Sequence, residues 1–405
     1  MKVTIHRGLR QIGGNIIEIE SETTKLIIDA GDELEDTLNP LDFQELLECE
    51  CPDAILISHY HTDHVGLLDH AGNLPKIYMG KRAYELYQKA KEYVGKTLGF
   101  SPEGWFINDT PIHIGDIKIT PYLADHSALD AYSLLFECDG KKVFYTGDFR
   151  GHGRKSYERY LRMLPDRVDA IMCEGTTLNR AEKKNVSESQ LEALMTAEIG
   201  KCTNQVFILA SAMNIDRMVT VYKAAKRNNR IFLQDIYVSS LTELCQDIHI
   251  PNPVTFSDVY AFTFDRLSSE AHDRIRTAYG RKFIGREAIA LSDFLMCIRS
   301  NSKVREYLHR LNEIKSLAGS LLLYSMWEGY KRKPEMQAFL KDLEGLGIRC
   351  CSVHTSGHAD ADDVRRLIEK TNPEIIIPIH TENEEWFLDE YAGTRKVYTK
   401  RFLEV

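Results

Sequence analysis

The hydrophobic pattern opens with short, β-branched runs set off by turn residues: VTIHRG from Val3, NIIEIES from Asn15, KLIIDAG from Lys25 and DAILISH from Asp53. Runs of this length bounded by Gly, Asp or Ser predict strands, and short connections predict antiparallel pairing of the first three. The segment KRAYELYQKAKEYVGK then changes to helical spacing. Strand patterns resume with DIKITPYLAD, AYSLLFEC, KKVFYTGD and VDAIMCEG. Strands and helices in this repeated order predict an α/β sandwich with helices outside paired sheets.

Near Asn185 the texture changes. In SESQLEALMTAEIGKC, Ser187 precedes Gln190 by three residues, the spacing of a capping box, so a helix is expected to start there. NQVFILAS, NIDRMVTVYKAAKR, RIFLQDI and YVSSLTELCQ follow in alternation, the pattern of βαβ units and a small parallel sheet. Asn214 is a candidate helix cap. From about 250 to 315 the pattern reads as irregular, ending in a helix around SKVREYLHRLNEIKS. GSLLLYSMW restores a strand, KPEMQAFLKDLEGLG a helix, and the remainder reads strand, loop, helix, strand, loop. The expected organisation is a first domain over 1–185, an inserted domain over 186–347, and completion of the first over 348–405.

Composition narrows the class. At 43% hydrophobic and 27% charged, the 405 residues have ordinary globular usage, enough for two to three domains. No apolar run approaches the ~20 residues of a spanning helix, and the start lacks the apolar stretch of a signal peptide, so a cytoplasmic protein is expected. The nine cysteines form no C-x-x-C pair and read as reduced thiols, with Cys173 and Cys350 expected to be buried in strands. A formal charge of −9 weighs mildly against nucleic-acid binding, although it says little about a local cleft. Basic clusters occur near Arg180, Lys226 and Lys331 and are ordinarily solvated helix ends.

The chemistry concentrates in SHYHTDHVG, Ser58 to Gly66. His59 and His61, two apart in an extended segment, point the same way. Asp63 and His64 follow after a turn and could face a second metal, and two metals about 3.5–4 Å apart would share a bridging carboxylate. His126, Asp148 and His380 each lie just past an apolar strand, as does Asp29, a carboxylate suited to orienting a ligand histidine. Alone, each histidine would read as a hydrogen-bonded strand end. Together they read as a dinuclear site.

Asp29, HYHTDH, His126, Asp148 and His380 resemble the ordered motif series of the metallo-β-lactamase fold. The resemblance implies an αββα sandwich in which His59, His61 and His126 hold one metal. It gives Asp63, His64 and His380 to the other, with Asp148 bridging. Glu174 in IMCEGTTL, His358 in SVHTSGHAD and the final His380 further resemble the β-CASP branch, whose α/β domain is inserted where the texture changes here. HTSGHA looks most like ribonuclease J-type enzymes. The implied function is hydrolysis of phosphodiester bonds in single-stranded RNA by a two-metal bridging hydroxide, with two zinc ions, or manganese instead. Asp63 and Asp148 would serve catalysis, and His358, held by Glu174, would be general acid. His354, Ser356 and the Gly357 N–H would bind a neighbouring phosphate.

The chain departs from that pattern in places. Gly175, followed by Thr176, stands where a hydroxyl usually follows the acid, and Thr381 stands where glycine is usual. With Val405 close behind the last ligand, the further C-terminal domain of ribonuclease J is not expected, which leaves a homodimer open. A DNA nuclease of the same branch, a small-ester or thioester hydrolase, and a non-catalytic RNA-binding scaffold are the alternatives. In the inserted part, Arg217 or Lys226 could meet a nucleic-acid backbone. Trp327 and Tyr330, beside Lys331 and Arg332, could stack a base or pack internally.

Overall fold

The computed structural model describes residues 1–34, 42–178, 184–265 and 268–405. The cluster around Arg180 lies largely outside them. The chain divides into two compact units, Met1–Asn185 with Gly357–Val405, and Val186–Ser356.

The first unit carries β1 (Lys2–Arg7), β2 (Ile16–Glu20), β3 (Lys25–Ile28), β4 (Ala54–Ile57), β5 (Lys76–Gly80), β6 (Gly104–Phe106), β7 (Ile112–Ile114), β8 (Ile117–Leu123), β9 (Tyr132–Cys138), β10 (Lys141–Tyr145) and β11 (Ala170–Glu174). The second unit carries β12 (Val206–Leu209), β13 (Ile231–Asp235), β14 (Val259–Phe262), β15 (Phe294–Ile298), β16 (Leu321–Tyr324) and β17 (Arg349–Ser352). The chain then returns with β18 (Ile375–Ile379), β19 (Lys396–Val397) and β20 (Phe402–Glu404).

In the first unit two seven-stranded sheets run β20-β1-β2-β3-β4-β5-β6 and β19-β18-β11-β10-β9-β8-β7. β1, β2 and β3 pair antiparallel, as their short turns require. The sheets share one core, where Val3, Ile5, Ile17, Leu26 and Leu56 meet Ile117, Ile119, Leu134, Phe136 and Val143. Helices Tyr157–Met163 and Ala361–Thr371 bury Tyr160, Leu161, Leu367 and Ile368 against Phe144, Ile171 and Ile376 on the outer face of the second sheet. The helix Lys81–Tyr93 follows β5 directly and buries Ala83, Leu86 and Tyr87. The result is the αββα sandwich. Late in the chain, β18 enters the sheet parallel to β11 with Glu174 opposite Ile379, which brings residues two hundred positions apart to one end of the sheet.

The second unit is a six-stranded parallel sheet in the order β14-β13-β15-β12-β16-β17, flanked by helices. Ser187 and Gln190 form the capping box, and Asn214 caps Ile215–Arg227 by accepting from the Arg217 N–H. Three expectations need correction. The boundary at 347/348 moves to 356/357, because β17 pairs with β16 and belongs to this sheet. The stretch read as irregular holds β14, a helix and β15, an interior strand of the sheet. Cys350 is exposed, because β17 is an edge strand.

Arg217 also differs from its expected role. It is 1% exposed and ion-paired with Glu188 at 3.0 Å, which removes it from any nucleic-acid surface. Among the described residues, no helix is long and apolar enough to cross a membrane.

Candidate active site

Most of the chemically loaded residues of the first unit sit just past the carboxyl end of a strand: Asp29 after β3, His59 and His61 after β4, His126 after β8, Asp148 after β10, Glu174 closing β11 and His380 after β18, while Asp63 and His64 lie in the short helix Thr62–Val65 and His358 in the loop before Ala361–Thr371. Side chains there leave the apolar sandwich yet stay walled by it, so His59, His64, Asp148 and His380 are 2% exposed or less. Two of the positions carry backbone strain, Asp29 at φ +59° and His380 at φ +50°, left-handed values that non-glycine residues adopt at a cost. Gly147 turns the chain into Asp148 at φ +53°, where a Cβ would stand 2.9 Å from the Tyr132 carbonyl.

His59, His61 and His126 form the first donor group. The His59 Nε2 and His126 Nε2 atoms each lie 3.1 Å from His61 Nδ1, and Asp148 Oδ2 is 3.7 Å from His59 Nε2 and 3.9 Å from His126 Nε2. The far nitrogens of two rings are engaged. His126 Nδ1–H donates to the Gly357 carbonyl at 2.6 Å, and His59 Nδ1 is 3.1 Å from Ser58 Oγ. Those contacts turn the Nε2 lone pairs of both rings inward. Burial pushes all three imidazoles down, His61 to about 4, so the rings are neutral near pH 7, the form that binds a metal.

Asp63, His64 and His380 form the second group. His380 Nε2 is 3.2 Å from Asp63 Oδ2, and Asp148 Oδ2 lies 3.3 Å from His64 Nε2 and 3.8 Å from His380 Nε2. One carboxylate oxygen thus faces both groups. Asp29 Oδ2 takes His64 Nδ1 at 2.7 Å and also accepts from Ser58 Oγ and Tyr145 Oη, while Thr176 Oγ1 holds His380 Nδ1 at 2.7 Å. Burial alone would lower the His64 imidazole, but the Asp148, Asp29 and Asp63 carboxylates carry it well above its ordinary value. Burial likewise would raise Asp148, yet the charges of His380, His64 and His358 hold it well below the usual carboxylate range.

His64 Nε2 and both Asp148 carboxylate oxygens are buried without a hydrogen-bond partner. Orphaned polar atoms of this kind are costly unless something else compensates them. Converging imidazole and carboxylate donors are compensated by a divalent cation, and this donor set fits one. Beside the groups, His358 Nδ1 is 3.1 Å from Glu174 Oε2 and 3.5 Å from Asp148 Oδ2. Glu174 is itself fixed by the backbone N–H groups of Phe149 and Thr176. His358 keeps 21% of its side chain exposed, against 1% for Asp148 and Glu174.

A family model described as "Beta-lactamase superfamily domain" matches residues 24–229, just over half of the 405-residue chain. The chain belongs to the beta-lactamase superfamily. A second model, "Zn-dependent metallo-hydrolase RNA specificity domain", matches residues 347–387 of this superfamily member. Ribonuclease J of Mycoplasma pneumoniae is 22% identical over 94% of the chain and 68% of its own length. An RNase J-like protein of Methanocaldococcus jannaschii is 26% identical over 54% of each. The crystal structure of a protein of unknown function from Enterococcus faecalis V583 has the same fold, with a TM-score of 0.77 at 18% identity over 100% of this chain and 99% of that one. With both models matched, the chain is similar to proteins named ribonuclease J over most of its length.

Within this superfamily fold, the structure gathers Asp29, His59, His61, Asp63, His64, His126, Asp148, Glu174, His358 and His380 at one end of the sandwich. Gly357 joins them through its carbonyl. His354 and Ser356 belong to the second unit, where His354 is exposed and Ser356 buried. The sequence pattern does not disclose Ser58, Tyr145 and Thr176, the hydroxyls that hold the outer nitrogens and Asp29. Nor does it disclose Arg150, fully buried and paired with Asp125 at 3.0 Å next to His126. Thr176 is visible there only as a departure from the family pattern, and the other three carry no signal.

Proposed function

We propose that this chain is a zinc-dependent ribonuclease that hydrolyses phosphodiester bonds of single-stranded RNA. The observation that carries the reading is the single Asp148 carboxylate facing two three-residue donor groups, with the His358–Glu174 pair at its open side. His59, His61 and His126 would hold one metal, Asp63, His64 and His380 the other, and Asp148 would bridge. Mixed imidazole and carboxylate ligation suits zinc, with manganese as the alternative. When bound, such a pair supplies an activated water and Lewis acidity toward the phosphate oxygens.

The chain's own residues supply the rest. His358 donates a proton to the leaving 3′-oxygen as the phosphorus–oxygen bond breaks. Burial opposes its charged form, but the Glu174 and Asp148 carboxylates raise its pKa to about 9, so it is protonated at neutral pH. Glu174 fixes the ring through Nδ1 and is rigid because two backbone N–H groups hold it. Asp29 and Thr176 lock the rings of His64 and His380. His354, Ser356 and the Gly357 N–H, which immediately precede His358 in the chain, bind a neighbouring phosphate.

The test is incubation of the protein with zinc or manganese and one internally labelled single-stranded RNA, alongside a DNA of the same sequence and a panel of chromogenic esters. RNA cleavage is expected, lost by about 10³-fold or more in Asp148→Ala. Cleavage of DNA alone, or of esters alone, would overturn the reading in favour of the corresponding activity. RNA bearing a 5′-monophosphate or a 5′-triphosphate separates the modes: mononucleotides from the first only mark a 5′ exonuclease, and internal fragments from both an endonuclease.

A further inference from the structure

The second unit carries a group of aromatic and basic residues that the metal centre does not use. β16 ends at Tyr324 and runs into a turn, Trp327–Lys333, closed by hydrogen bonds from the Tyr330 N–H to the Trp327 carbonyl and from the Lys333 N–H to the Tyr330 carbonyl. Trp327 is 44% exposed, an unusual state for so large an apolar ring. It is nevertheless held in place. A Cβ at Gly329 would stand 2.3 Å from two carbons of the indole, so the ring lies directly on the glycine backbone. Tyr330 meets the indole edge-on, with centroids 5.4 Å apart.

Cations surround this pair. Arg332 lies 6.0 Å over the Trp327 ring and Lys333 5.2 Å over the Tyr330 ring. Lys331 is engaged with Ser352 and with the exposed Glu328 carboxylate at 3.0 Å, which leaves Arg332 and Lys333 as the exposed cations of the turn. Position matters as well. Tyr324 pairs with Ser352 in the parallel β16–β17 ladder, so the Trp327 turn and the segment leading to His354 leave the sheet side by side. Ligands of open parallel sheets bind outside the carboxyl ends of the strands.

We infer that Trp327, seated on Gly329 and flanked by Tyr330, Arg332 and Lys333, is a stacking platform for a base of single-stranded RNA, with the two cations on the flanking phosphates. An exposed ring fixed on a glycine presents a preorganised face, and a base stacks on it whatever its identity. The inference rests on the ribonuclease reading for its choice of occupant. The two can fail separately.

The experiment measures binding of a fluorescein-labelled phosphorothioate RNA 20-mer by anisotropy, and cleavage of the unmodified RNA, on the same metal-loaded preparations. Trp327→Ala is expected to weaken binding about 5- to 100-fold, the range for losing one base–aromatic stack. Trp327→Phe should retain most of the affinity. Gly329→Ala, which lifts the ring off the backbone, should weaken binding with the indole still present. Arg332→Ala with Lys333→Ala should lower the slope of log Kd against log salt by about 1.4, two phosphate contacts at about 0.7 each. Unchanged binding in Trp327→Ala and Gly329→Ala, with RNA cleaved by the wild type, would overturn the platform alone and point to a protein partner for the patch. Weakened binding in both variants, with no cleavage by the wild type, would support the platform and overturn the ribonuclease reading. A wild type that neither binds nor cleaves would overturn both.

Discussion

The two units both bury charged side chains, and they treat them in opposite ways. In the inserted unit the two central guanidinium groups are answered: Arg217 takes Glu188, Ser325 and the Thr355 carbonyl, and Arg299 takes Asp235. In the sandwich, His64 Nε2 and the Asp148 carboxylate are equally buried and have no hydrogen-bond partner. All the candidate metal-holding groups found among the described residues lie in the sandwich. A satisfied buried ion pair is a structural device, whereas converging, unsatisfied donors ask for a cation. Buried charge serves architecture in one unit and chemistry in the other.

That contrast can be sharpened or broken by substitution. His358→Ala should lower kcat on RNA by about 10²–10⁴-fold while metal content stays at the wild-type level, because the lost group is an acid and not a ligand. Its pH dependence has a definite sign. The acid form of His358 is present below its raised pKa of about 9, so the rate falls as pH climbs through that region. Glu174→Gln removes the foremost carboxylate that raises it, and the alkaline limb should move to lower pH. A limb that stays in place would detach His358 from proton donation.

Glu188→Ala should act on stability. It leaves the Arg217 guanidinium buried without its counter-charge, at a cost of about 3–5 kcal/mol in denaturant unfolding of the inserted unit. Metal content should not change, and replacing both partners with apolar residues should recover most of the loss. The smallest effect belongs to Asp29→Asn, which keeps the shape but weakens the grip on His64 Nδ1. Metal affinity should fall about 10- to 100-fold in a competition titration, with little change in melting temperature. A large loss of stability instead would make Asp29 part of the architecture.

Much of the site is legible in the amino-acid sequence itself. Each metal-site residue follows an apolar, strand-length run, so chain position alone puts His126, Asp148 and His380 at sheet ends. Two of the hydroxyl partners are not legible there, since Thr176 meets the His380 ring only because β18 pairs with β11, and Tyr145 reaches Asp29 from the other sheet. β15 escapes a reading by pattern because FLMCI is a short continuous apolar run, which periodicity cannot separate from a buried helix. The second boundary shifts because IRCCSVH leads directly to His358 and its strand reads as part of the sandwich, although β17 pairs with β16. Arg217 looks like a surface cation because nothing in its own helix discloses Glu188, which lies on another helix.

If the converging buried donors of the sandwich hold two divalent ions, elemental analysis of the gently purified protein will find them. About two zinc or manganese ions per chain are expected, falling in Asp148→Ala while the fold remains intact by circular dichroism. Protein that carries no stoichiometric metal, and takes up none when zinc or manganese is supplied, would contradict the two-metal reading.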